Sequence, residues 1–300
     1  MSKIVITTTS FGEYDTSCLE RCRSEGFDVV VNPYRRTVKP EELVELAKGA
    51  IGIIAGTEPI TENVLTGLPQ LKVISRCGAG VDNVDLKACQ RMGIKIFSTP
   101  AAPTLAVAEL TLGLILSLLR KVCQADNKVK SGKWQKPMGN LLSGKKVGII
   151  GFGRIGRKLA ELLEPFRCEI AYNDPSIEQR LSGFNGMPKE ELLQWADIIS
   201  LHVSTKDMIL GEKELKLMKK GSWLINVSRG GTVDESALYS LLKEGQLSGA
   251  ALDVFGQEPY MGLLKELDNV ILTPHIGSYA KEARINMERE AVENLIKGLK

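Results

Sequence analysis

Histidine is nearly absent from this 300-residue chain, which carries only His202 and His275. Its six cysteines, Cys18, Cys22, Cys77, Cys89, Cys123 and Cys168, form no C-x-x-C pair, and no histidine stands at metal-ligand spacing from them. A zinc site is therefore not expected, and the metal reading is none. An excess of charge of one sign is also missing: 39 basic residues face 36 acidic ones, a net +3 with no block of like charge. That near balance argues against nucleic acid as a main partner, and Lys145-Lys146 and Lys219-Lys220 read as solvated surface. The longest apolar run, Leu105–Leu119, is interrupted by Glu109 and is too short to span a bilayer, which needs about 20 residues. No signal peptide precedes the first expected strand near Lys3, so a cytoplasmic location is the expectation. No internal repeat or low-complexity tract is evident.

What is present is an ordinary soluble composition, 43% hydrophobic and 25% charged, in a length that suits two domains. Apolar runs at Ile4–Ile6, Val29–Val31, Ile51–Ala55, Val73–Ser75 and Ile94–Phe97 alternate with helical patterns such as Glu41–Ala47 and Asp85–Arg91. A second series follows at Val147–Ile150, Glu169–Tyr172, Ile198–Leu201, Trp223–Val227, Ala250–Leu252 and Val270–Leu272. Strand–helix alternation of this kind predicts an α/β protein of two doubly wound parallel sheets. Between the series, Thr104 to about Lys130 reads as one long helix with Gly113 its only internal breaker. Its Leu-rich part is apolar on several faces, which favours core plus a subunit interface. Thr99-Pro100 and Ala102-Pro103 precede it, and X-Pro steps disfavour helix, so a hinge is expected there. A last helix runs from about Tyr279 to Lys297 and is expected to cross back onto the first domain.

The stretch Val147–Gly156 carries the strongest signal. A buried strand runs into Gly151-Phe152-Gly153-Arg154-Ile155-Gly156 and then a helix. In G-x-G-x-x-G the first glycine allows a tight turn, the second lets backbone N–H groups approach a pyrophosphate, and the third lets helix pack on strand. The helix N-terminus, with Arg154 and Ile155 in its first turn, turns its positive dipole end to the phosphates. Asp174 ends the next strand, about eighteen residues after Gly156, where an acid accepts hydrogen bonds from an adenosine ribose. Pro175 follows at once and the next arginine is Arg180, so nothing adjacent invites a 2′-phosphate. The reading is a Rossmann-type domain for NAD rather than NADP.

Three polar residues then follow three successive strands: Arg229 in Asn226–Gly231, Glu258 in Asp253–Pro259, and His275 in Thr273–Gly277. Ligands of open parallel sheets bind beyond the carboxyl ends of the strands, where these three would gather. Reduction of a 2-keto acid builds negative charge on the carbonyl oxygen. A protonated imidazole can donate the balancing proton, a neighbouring carboxylate favours the imidazolium, and a guanidinium can fork onto a carboxylate and polarise the carbonyl. His202, at another strand end, is read as a cofactor-side residue.

At this point the chain resembles the D-isomer-specific 2-hydroxyacid dehydrogenase family, nearest its phosphoglycerate dehydrogenase branch. The resemblance is carried by Ser75–Leu86, Ala106–Arg120, Gly144–Ala160, Ile225–Leu238, Ala251–Pro259 and Leu272–Ala283. It implies a flavodoxin-like substrate domain over residues 1–99, completed by the helix in 276–300, and an NAD-binding domain over 100–275. It implies Arg229 as substrate binder and electrostatic catalyst, Glu258 as the partner of His275, and His275 as general acid/base. It places Val227 and Asp253 on the nicotinamide side, and has Arg76, Cys77, Gly78, Ala79 and Gly80 hold the substrate carboxylate through backbone N–H groups. Activity on a small D-2-hydroxy acid, 3-phosphoglycerate among the candidates, and a homodimer follow as expectations.

Some positions depart from the family pattern. Where phosphoglycerate-oxidising members carry basic residues, this chain has Ala55-Gly56-Thr57-Glu58-Pro59-Ile60. Arg76, and Lys133 or Lys136 from a partner subunit, remain as phosphate contacts. The family's usual Asn before the long helix is Pro103 here, and the usual Pro after the His202 strand end is Ser204. Cys77 reads as a small filler, with a modifiable thiol the alternative. The rival from another class is an NAD(H)-sensing binding protein or corepressor on the same scaffold. A methyltransferase is weaker, since it leaves Arg229, Glu258 and His275 unexplained.

Overall fold

Side chains alternate across a strand, and β1 (Ser2–Ile6) uses this to build two layers. Ile4 and Ile6 enter one apolar cluster, while Val5 enters the other. β2 (Phe27–Val31), β3 (Ala50–Ala55), β4 (Val73–Arg76) and β5 (Lys95–Ser98) join it in a parallel sheet of order β2-β1-β3-β4-β5. That is the flavodoxin-like order. The computed structural model describes residues 1–177 and 183–300.

The second sheet has seven parallel strands in the order β12-β11-β10-β9-β6-β7-β8. They are β6 (Lys146–Ile150), β7 (Glu169–Asn173), β8 (Asn185–Gly186), β9 (Ile198–Leu201), β10 (Trp223–Asn226), β11 (Gly249–Leu252) and β12 (Val270–Leu272). Order reverses between β6 and β9, the switch point where such sheets bind dinucleotides. β6, β9, β10 and β11 are near-continuous apolar runs because helices cover both of their faces. The predicted α/β architecture with two parallel sheets is thus the observed one.

The chain divides into two compact units, Met1–Pro103 with Ser278–Lys300, and Thr104–Gly277. In the first, the helix Lys281–Leu299 packs Met287, Ala291, Val292 and Leu295 against Ile4, Ile6, Ile54 and Val73. The boundary between the units falls at Pro103–Thr104, at the end of the segment expected to be a hinge, and Thr99 is fully buried in the first unit, where it exchanges two hydrogen bonds with Gly78. The long helix predicted to Lys130 is two helices, Thr104–Leu119 and Val122–Lys130, with Lys121 between them at φ +54°. The returning segment supplies the reason: the N–H of Asn140 donates to the Leu119 carbonyl, and Gly139 packs so closely there that a Cβ would come 2.7 Å from it. No helix among the described residues is long and apolar enough to cross a membrane.

Candidate active site

The glycine turn after β6 shows three different constraints. Gly151 has φ +89°, and a Cβ there would lie 2.6 Å from the His202 carbonyl oxygen. A Cβ on Gly156 would lie 2.3 Å from the Gly151 carbonyl oxygen. Both glycines are therefore demanded by the protein's own packing. Gly153 is not: an added Cβ meets nothing within 4 Å. Its bare backbone opens onto space at the start of the helix Arg154–Leu163, whose N-cap, Gly153 itself, has no side chain to cap the first turn. Arg154 is exposed and Ile155 half-buried beside it. A phosphate-bearing ligand fits this arrangement, since uncapped N–H groups and the helix dipole attract an anion.

Asp174 follows β7 and is tied into the same turn. Its Oδ2 accepts from Phe152 N–H at 2.8 Å, and its Oδ1 from Ser176 N–H at 2.9 Å. Phe152 is buried and stacks on Tyr172 with centroids 4.1 Å apart, and its carbonyl accepts from Arg157 Nε. A cavity of about 260 Å³ opens here, lined by Tyr172, Asn173, Asp174, Pro175, Ile177, Gly186, Met187 and Pro188. No cation is among these lining residues; Arg180 lies outside the described residues. His202 flanks the turn from β9, with its N–H donating to the Ile150 carbonyl. Its Nε2 lies 2.8 Å from Ser200 Oγ, its Nδ1 is buried without a partner among the described residues, and desolvation pushes the ring's pKa down to about 3. His202 is thus a neutral residue, unsuited to proton transfer near pH 7.

Arg229, Glu258 and His275 stand in three loops at the carboxyl ends of β10, β11 and β12. Asn226 shapes the first loop, its Oδ1 accepting from Ser228 N–H and Oγ and its Nδ2 donating to Thr232 Oγ1. The Arg229 carbonyl accepts from Thr232 Oγ1, and one guanidinium nitrogen donates to the Ser228 carbonyl. Gly230 presses on the second loop so tightly that a Cβ would sit 1.8 Å from the Phe255 carbonyl oxygen. In that loop Glu258 Oε1 accepts from Phe255 N–H at 3.1 Å, which leaves Oε2 aimed at His275 Nδ1, 3.0 Å away. The His275 side chain remains 53% exposed. The geometry therefore yields a carboxylate-backed imidazole that stays half exposed, with the arginine loop packed on the loop that carries the carboxylate.

Asp253 does something the sequence reading did not anticipate. It is buried, and its carboxylate accepts from Thr273 Oγ1 at 2.6 Å, Ile276 N–H at 2.8 Å and Gly277 N–H at 2.8 Å. It staples the turn that carries His275, whose φ is +54°. Val227 is buried at the end of β10 among core side chains. Asn226 and Thr273 were missed by sequence reasoning, because a loop-shaping side chain leaves no motif.

In the first unit the loop after β4 is ordered by its neighbours. Cys77 N–H donates to the Ala55 carbonyl, and Arg76 folds back over Gly78, where its guanidinium donates to the Cys77 carbonyl. Ala79 is exposed and Gly80 half-buried at the loop's apex. Burial pushes the Cys77 thiol up to about 11, so it is a filler rather than a reactive group.

Comparison with known proteins fits this geometry. The family model for the D-isomer specific 2-hydroxyacid dehydrogenase, NAD binding domain, matches residues 112–277. A glyoxylate reductase of Thermococcus litoralis is 42% identical over 257 residues, covering 80% of this chain and 77% of that one. A D-3-phosphoglycerate dehydrogenase of Sus scrofa is 38% identical over 280 residues, 90% of this chain, which spans about half of that enzyme (52%). Among solved structures, an NADPH-dependent glyoxylate/hydroxypyruvate reductase from Sinorhizobium meliloti, in complex with NADP and malonate, superposes with a TM-score of 0.88. It is 29% identical, with 100% of this chain and 94% of that chain covered. The chain belongs to the D-isomer specific 2-hydroxyacid dehydrogenase family, NAD(P)-dependent oxidoreductases acting on the CH–OH group of small 2-hydroxy acids.

Proposed function

We propose that this chain interconverts a small D-2-hydroxy acid and its 2-keto acid with NAD, using Arg229, Glu258 and His275. The pairing of His275 Nδ1 with Glu258 Oε2 at 3.0 Å carries the proposal, because it leaves Nε2 as the proton-carrying edge. The bound dinucleotide supplies or accepts the hydride. His275 moves the proton to or from the substrate oxygen, Glu258 holds the ring's tautomer and orientation, and Arg229 stabilises charge on the substrate. The turn Gly151–Gly156 binds the pyrophosphate and Asp174 the adenosine ribose. The loop Arg76–Gly80 holds the substrate carboxylate through the backbone N–H groups of Ala79 and Gly80, since those of Cys77 and Gly78 are donated to the Ala55 carbonyl and to Thr99 Oγ1.

NAD is favoured over NADP by Asp174 and by a cavity lining without cations, since a carboxylate accepts from a ribose diol and repels a 2′-phosphate. A second copy of the chain is the partner favoured by the segment Val122–Leu141. It leaves Trp134 83%, Met138 86% and Leu141 70% exposed, and large apolar groups of this kind are characteristic of subunit contacts.

Changing His275→Gln keeps a hydrogen-bonding side chain and removes the titrating one. Turnover is expected to fall by about 10²- to 10⁴-fold, with NADH affinity by fluorescence titration changed only slightly. Turnover within twofold of the parent would remove His275 from the mechanism. Light scattering after size exclusion should give a dimer that Trp134→Glu with Met138→Asp turns into a monomer. A parent mass of one chain would end the dimer assignment.

A further inference from the structure

Within the first unit, the strand-end loop beside Arg76–Gly80 is closed by an acid. Glu58 is 1% exposed. Its Oε1 accepts from Gly56 N–H at 3.0 Å and from the Thr7 hydroxyl. Gly56 has no room for more, as a Cβ there would lie 2.8 Å from Glu58 Oε2. Asn83 locks the same loop from the other side, its Nδ2 donating to the carbonyls of Glu58 at 2.7 Å and Gly56 at 3.2 Å. Its Oδ1 accepts from Arg76 Nε at 3.4 Å. One network therefore runs from Thr7 through Glu58 and Asn83 to Arg76, and Cys77 N–H joins the two loops directly through the Ala55 carbonyl.

We propose that Glu58, fixed by Thr7, Gly56 and Asn83, is a specificity-determining residue that rejects a phosphate on the substrate tail. The chain then acts on short unphosphorylated 2-keto acids of two or three carbons. This rests on the reading that Arg76–Gly80 hold the substrate carboxylate. β3 and β4 are paired neighbours, so a tail leaving that loop on the β3 side meets Gly56–Pro59. Arg76 is the cation these loops offer, and its guanidinium is engaged with its own loop through Cys77 and Asn83. A substrate with a carboxylate and a phosphate dianion brings about three negative charges to loops whose cation, Arg76, shares one hydrogen-bond network with the buried acid Glu58. Like charges in such a setting repel strongly. The buried network holds Glu58 in place, so the acid cannot swing away to admit the phosphate.

The test measures kcat/KM with NADH for glyoxylate, hydroxypyruvate and 3-phosphohydroxypyruvate. The parent is expected to use 3-phosphohydroxypyruvate at least about 100-fold less well than hydroxypyruvate. Glu58→Gln preserves shape and the Gly56 contact, and should narrow that ratio by about 10-fold. Thr57→Arg, at an exposed position of the same loop, should narrow it as well without touching the buried network. Parity between the two three-carbon acids, or a ratio unmoved by Glu58→Gln, overturns the inference while leaving the dehydrogenase reading intact. Failure of the parent to reduce any of the three acids would instead strike the dehydrogenase reading itself.

Discussion

His275 holds φ at +54°, a region that costs a non-glycine residue on the order of 1 kcal/mol. The three hydrogen bonds that Asp253 accepts on either side of it offset that cost and fix where the imidazole points. Asp253→Asn is informative because the amide cannot satisfy the site in either orientation: each carboxylate oxygen faces a donor, so the NH₂ must face an N–H. A shift of about 1 Å in a catalytic group costs up to about 100-fold in rate, and turnover should fall by about 10- to 100-fold. Amide exchange at Ile276 and Gly277 should quicken in the same variant, a signature of loosened anchoring. Unchanged turnover with unchanged exchange would leave Asp253 no part in placing the ring. At this scale the placement of Arg229, Glu258 and His275 in three strand-end loops was legible because each is a charged or titratable residue in the loop that follows an apolar run. Asp253 was legible only as part of a motif. What its oxygens bind depends on a turn whose path no local pattern states, and the same holds for Asn83 and Asn226.

Where an element turns into the next, glycines separate packing from ligand binding. Gly230→Ala places a methyl group 1.8 Å from the Phe255 carbonyl oxygen, so the Arg229 loop or the Glu258 loop must move. Overpacking of this kind typically costs about 1–3 kcal/mol, and both thermal stability and turnover should drop. Gly153→Ala meets nothing within 4 Å and has no positive φ. Stability without cofactor should stay within about 0.5 kcal/mol, while NADH affinity falls by about 10-fold or more, a cost of about 1.4 kcal/mol. A Gly153→Ala protein that binds NADH like the parent would show that the pyrophosphate lies elsewhere. The strand runs and the glycine turn were readable because periodicity and turn chemistry are local. The break at Lys121 was not, since Gly113 looked like the weak point. The chain stops the helix at Leu119 through contacts with Gly139 and Asn140, some twenty residues on.

For the whole molecule, the acid side of the stability curve should carry the mark of His202. Its ring is desolvated and its pKa is lowered to about 3 in the folded chain, against about 6.5 when unfolded. Between those values the unfolded state binds a proton that the folded state refuses, so stability falls as pH falls. The contribution is fully present above pH 6.5 and is lost toward pH 3, at up to about 1.4 kcal/mol per pH unit. Many carboxylates also titrate there, so the parent curve alone does not isolate the histidine. His202→Gln keeps a polar group for Ser200 Oγ and cannot be protonated. The parent-minus-variant difference in unfolding free energy, from urea melts without cofactor, should be flat above about pH 7 and turn against the parent below it. By about pH 5 the parent should have lost roughly 2 kcal/mol relative to the variant. Parallel curves over that range would mean that His202 takes up its proton in the folded chain, and the ring would then have to be solvated beside the glycine turn rather than shut behind it.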